Sequence, residues 1–60
     1  MDAIIQIYND TKGKFRFKLI NVTGEIIAVS DGYATKEKAM KGIESVKKNA
    51  SLTVVEDRTV

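Results

Sequence analysis

Four basic residues, Lys12, Lys14, Arg16 and Lys18, recur at every second position along one short stretch. On a strand that spacing puts side chains on one face. Arg16 and Lys18 therefore share a side, with Lys12 and Lys14 in the turn before them, forming a cationic strip suited to phosphate oxygens. A second candidate group is Ser30, Gly32, Tyr33 and Lys36, at the approach to a helix. Unpaired N–H groups at a helix N-terminus bind anions. Lys36 and Lys38 oppose the helix dipole, a conflict that a bound phosphate or similar anion would relieve. Each group also has a plainer reading. The strip is a solvated strand face, and the second group is a solvated first turn compensated by Glu37, with Gly32 serving backbone geometry.

For nucleic acid, the strip needs exposed rings on which bases stack. Lys12-Gly13-Lys14-Phe15-Arg16-Phe17 is loosely similar to the sheet motif of RNA-recognition modules, but the spacing differs. Phe15 and Phe17 also share a face with Leu19, opposite Arg16 and Lys18, which marks them as core. Tyr8 and Tyr33 fit a buried ring with a wet hydroxyl. Asp10, Glu25 and Asp31 fall in turns, and no two pair for acid–base work. Cysteine and histidine are absent, so disulfides, thiolate chemistry and the commonest transition-metal ligands are absent too. Neither a Gly-rich phosphate loop nor a nucleophile motif occurs. No catalytic residue, metal or cofactor is expected.

The elements that position these groups are short. Ala3 to Tyr8 is rich in β-branched residues and predicts a strand. Asp10-Thr11-Lys12-Gly13 predicts a turn with glycine at positive φ. Phe15 to Leu19 alternates apolar and basic residues and is the clearest half-buried strand. Asn21-Val22-Thr23-Gly24 is a second turn, and Glu25 to Ser30 a third strand. Short loops make these three an antiparallel meander. Thr35 is placed to cap a helix, in which Ala39, Ile43, Val46 and Ala50 form an apolar stripe widened by Met40. Glu37–Lys41 and Glu44–Lys48 are i,i+4 pairs. Gly42 costs the helix about 1 kcal/mol against alanine, which close approach to the sheet would explain. Leu52 to Glu56 predicts a last strand.

All 60 residues form a single domain, 1–60. A chain this short buries only about 60% of its unfolded surface and needs a supplement to its core. With disulfides and metal excluded, oligomerisation remains. The third strand is apolar on both faces, and Ile20 and Val22 face away from Phe15, Phe17 and Leu19. One helix, roughly 20 Å long, covers only part of one sheet face. A second copy would cover the rest, together with an open edge. A formal net charge of +2 with interspersed signs does not by itself argue for nucleic acid. No apolar run approaches the roughly 18 residues of a membrane span, and Met1-Asp2-Ala3 lacks a signal's basic region. The expected location is the cytoplasm.

The series Ile7-Tyr8-Asn9-Asp10, Gly13 to Leu19, Gly24 to Ala28, Ser30 to Tyr33, Lys36, Ala39, Gly42-Ile43 and Ser45 to Ala50 resembles the YegP-like family over nearly the whole chain. Thr23-Gly24 departs from the Asn-Gly common there, and Ile5 from an aromatic. The resemblance implies an α+β fold, a β3-α-β unit that occurs in tandem or as two identical subunits. The two units share a continuous sheet and exchange C-terminal strands. For one unit it implies a strand-swapped homodimer, and it implies no activity. The expectation is a non-enzymatic interaction module whose further partner is unidentified. One alternative is a weak nucleic-acid binder using Lys12, Lys14, Arg16 and Lys18. The other is an anionic-ligand binder or enzyme with an inter-subunit site near Tyr33 and Lys36.

Overall fold

The computed structural model describes residues 2–59. Three strands, β1 (Ile4–Asn9), β2 (Phe15–Ile20) and β3 (Ile26–Val29), form an antiparallel sheet in the order β1-β2-β3, and the helix α1 (Lys36–Ala50) follows. The meander and single helix match the elements read from the sequence, with bounds shifted by a residue or two.

Both hairpin turns use one device. Asp10 Oδ1 accepts from the backbone N–H groups of Lys12 and Lys14, each at 2.9 Å. Asn21 Oδ1 accepts likewise from Thr23 and Glu25 at 3.0 Å. Each turn closes on a glycine at positive φ, Gly13 at 78° and Gly24 at 91°, where a Cβ would strain the backbone. The pairing Ile5↔Leu19, Ile7↔Phe17 and Asn9↔Phe15 defines the face beneath the helix. Ile4, Gln6 and Tyr8 oppose Ile20, Lys18 and Arg16 on the outer face. The β2–β3 register shifts between Leu19 and Ile20.

Beyond β3 the chain stays on the sheet: Tyr33 pairs with Phe15 through two backbone hydrogen bonds of 2.7 and 2.8 Å. Thr35 then caps the helix, its Oγ1 accepting from Lys38 N–H at 3.2 Å. Ala39 is fully buried and Phe17 is 8% exposed, and these are the buried apolar residues among those described. The Phe17 ring stacks on Tyr33, with centroids 6.1 Å apart. The close approach expected at Gly42 is present, since a Cβ there would sit 2.7 Å from the Tyr33 hydroxyl and 3.2 Å from Phe17 Cε2. Lys41 pairs with Glu37 at 3.8 Å. Glu44 and Lys48 form no ion pair among the described residues.

The predicted last strand is absent from the single chain. Among the described residues after Ser51 the backbone makes no sheet pairing, and Leu52, Val54 and Val55 are 73, 88 and 97% exposed. Strand propensity produces a strand only when an edge lies within reach, and this segment meets neither edge of its own sheet. Ile26, Ile27 and Val29 are exposed as well. One helix leaves much of the apolar sheet bare, as its length predicts.

Candidate functional site

The two candidate groups separated in sequence meet in the fold. Lys14 lies against Gly32, where a Cβ would be 3.0 Å from Lys14 Cβ. Gly32 does not have positive φ, so it makes room for the lysine stem rather than serving an unusual backbone angle. Arg16 Nη1 donates to the Ser30 carbonyl at 3.0 Å, and the Ser30 hydroxyl accepts from Phe17 N–H at 2.9 Å. Tyr33 lies under the helix with its ring on Phe17. Lys36 is exposed at the start of α1.

Asp10, a turn residue by its sequence position, organises this cluster. Besides its two backbone donors, it accepts from Arg16 Nε at 2.7 Å. Its side chain keeps 16% of its exposure. The Arg16 guanidinium, helped by the Lys14 and Lys12 N–H groups, holds the Asp10 carboxyl below the usual 3.8. Asp10 in turn raises the Arg16 pKa. Arg16 is therefore committed to the fold at both ends of its guanidinium, while Lys12 and Lys14 remain exposed. Lys18 Nζ sits 4.8 Å from the centroid of Tyr8, a cation–π contact. The aromatic on the cationic face is thus Tyr8, which alternation within β2 could not reveal. Only the register Tyr8↔Arg16 places it there.

The Asp10 contacts predict an acid-sensitive hairpin. A depressed carboxyl pKa adds stability that is complete above the unfolded-state value and lost as pH falls through the folded-state value. At neutral pH, Asp10→Asn is expected to lower the midpoint of thermal unfolding, because the amide keeps one accepting oxygen for the backbone N–H groups and sets an NH2 donor against Arg16 Nε. The gap to the native protein closes as pH drops below 3.8. Circular-dichroism melts across pH 2 to 7 check this; a constant gap would remove the carboxylate from the account.

Two apolar grooves flank the helix. The β3-side groove, about 350 Å³, lies between Ala28, Val29 and Val46 over Phe17, with Asp31 and Tyr33 at its rim. The β1-side groove, about 500 Å³, lies between Ile4, Ile5 and Ile7 and the helical residues Met40, Ile43 and Lys47. Sequence reasoning found the apolar excess but not these grooves, whose position depends on how the helix crosses the sheet. No group of three or more metal-ligating side chains occurs among the described residues, and none of their helices is long and apolar enough to cross a membrane.

A three-stranded meander under one helix, with open edges and bare apolar grooves, defines a small α+β unit. Residues 10–57 match the domain of unknown function DUF1508. The chain belongs to this family, whose UPF0339 members carry the YegP-like pattern seen in its sequence. It is 53% identical over 45 residues to a UPF0339 protein of Methanosarcina acetivorans, covering 75% of this chain and 78% of that one. It is 48% identical over 50 residues to a UPF0339 protein in the ptx operon 5′ region of Stutzerimonas stutzeri, covering 83% of this chain but only 45% of that one. The chain therefore spans about half the length of that relative. An NMR solution structure of a protein from Haloferax volcanii superposes with a TM-score of 0.83 at 40% identity, covering 93% of this chain and 95% of that one.

Proposed function

We propose that the protein is a cytoplasmic homodimeric interaction module, in which each chain lends Leu52–Glu56 to the sheet of its partner. The supporting observation is the exposure of Leu52, Val54 and Val55. A β-branched, apolar segment left in water beside a sheet with open edges is a strand without a partner. Adding it to an edge satisfies its backbone groups and removes its side chains from water together. The Stutzerimonas stutzeri relative supports this reading, because a match covering 45% of its length leaves room for a second unit of the same size. Two units in one chain and two identical chains present the same surfaces to each other.

Light scattering at micromolar concentration is expected to give twice the single-chain mass of 6.6 kDa. A value at the single-chain mass would reject the dimer.

A further inference from the structure

The hairpin register builds, on the outer face of the sheet, a surface that neither strand carries alone. Ile4, Gln6 and Tyr8 of β1 lie opposite Ile20, Lys18 and Arg16 of β2, and no acidic residue stands among these six. Lys14 continues the alternation just before β2, Lys12 lies in the turn, and both are exposed. Val29, opposite Lys18 on β3 and 55% exposed, extends the face on its other side. We propose that this face binds single-stranded nucleic acid, with phosphates on the lysines and a base on Tyr8. The inference goes beyond the dimer reading and does not need it, because every group it uses belongs to one chain.

Part of the positive charge is already engaged. Arg16 is held by Asp10 and the Ser30 carbonyl, and Asp31 also acts on its charge. Lys12, Lys14 and Lys18 form no ion pair among the described residues. Three cations are thus open to a polyanion. Lys14 and Lys18 stand about 13 Å apart along the strand, roughly two internucleotide steps of an extended strand, so the row can track a phosphate backbone.

Tyr8 selects among polyanions. Its ring is half-buried, with Lys18 Nζ 4.8 Å from the centroid. Surfaces that bind single strands combine such a ring with cations along the backbone path. A cation–π contact at a wet surface is weaker than the stacking of a base on an aromatic ring. An arriving nucleotide therefore replaces the ammonium on the ring and takes it onto its phosphate. A duplex keeps its base faces covered, and an acidic peptide offers charge alone. Neither gives the ring a partner. Ring and ammonium meet base and phosphate, so the sugar is not distinguished.

The test is the anisotropy of a fluorescein-labelled oligothymidylate titrated with the native protein. The expected dissociation constant is about 10⁻⁴ M or tighter at low salt. Its logarithm should rise with the logarithm of salt concentration at a slope of about 2, from three phosphate contacts at about 0.7 each. Lys18→Gln is expected to take about 0.7 off that slope. Tyr8→Leu is expected to weaken binding about fivefold or more with the slope unchanged, and Tyr8→Phe to bind as the native protein does. Circular-dichroism melts show whether each variant is folded. Should Tyr8→Leu not fold, amide shifts of the native protein with the same oligonucleotide decide, and they are expected at Gln6, Tyr8 and Lys18. The proposal is overturned by a salt-independent response, by a duplex bound as tightly as the single strand, or by native affinity in a folded Tyr8→Leu. Shifts confined to the helix side, or no anisotropy change at millimolar protein, overturn it equally.

Discussion

Gly42→Val is expected to lower stability by about 3 kcal/mol or more, most of what a core this small supplies. The helix crosses the sheet at Gly42, directly over the Tyr33 and Phe17 rings. A Cβ alone would be 2.7 Å from the Tyr33 hydroxyl, 3.1 Å from Cζ and 3.2 Å from Phe17 Cε2. Valine adds two methyl groups to that contact, and the stacked rings leave little room to retreat. Alanine makes a finer probe. It gains about 1 kcal/mol of helix propensity but collides with the hydroxyl. Its effect should therefore improve in a Tyr33→Phe background, where the nearest atom is gone. Urea unfolding followed by circular dichroism measures the native protein and the four variants. A Gly42→Val midpoint equal to that of the native chain would mean that the helix sits farther from the sheet than described.

On the proposed strand-exchanged dimer, the double substitution Leu52→Asp/Val54→Asp is expected to leave only single chains. A dimer in which each chain lends its segment buries two leucines and two valines, worth about 1.5–3 kcal/mol each, so losing all of them weakens association by about four orders of magnitude or more at about 1.4 kcal/mol per decade. In the isolated chain the same two residues are 73 and 88% exposed. Substitutions at such sites ordinarily change stability by no more than about 0.5 kcal/mol. The two outcomes are far apart. If the variant keeps the native mass in light scattering, the segment is not exchanged. If both proteins are single chains with equal melting curves, the tail is free in solution.

Legibility of the candidate site varied with how far apart its members lie in sequence. The turn glycines, the Thr35 cap and the assignment of Phe15 and Phe17 to the covered face follow from nearest neighbours and strand alternation. Asp10 was legible as a turn former because an Asx side chain bonds its own backbone two residues on. Its grip on Arg16 was not, since that depends on where the hairpin carries the guanidinium. Tyr8 was read as one of two ordinary tyrosines until pairing set it opposite Arg16 and under Lys18. Gly32 was assigned to backbone geometry, whereas its neighbour Lys14 accounts for it.

By itself the sequence determined a three-stranded meander and a helix, the family, and an excess of apolar surface over what one helix shields. Those features arise from turn chemistry, side-chain period and composition, which act within a few residues or over the chain as a whole. Tertiary structure decided the cross-strand register, the Gly42 contact, the union of the Lys14–Arg16 and Ser30–Tyr33 regions, and the unpaired state of Leu52–Glu56. Each of these depends on which surfaces meet at a distance. A segment with strong strand propensity becomes a strand only when an edge comes to it, and within one chain none does.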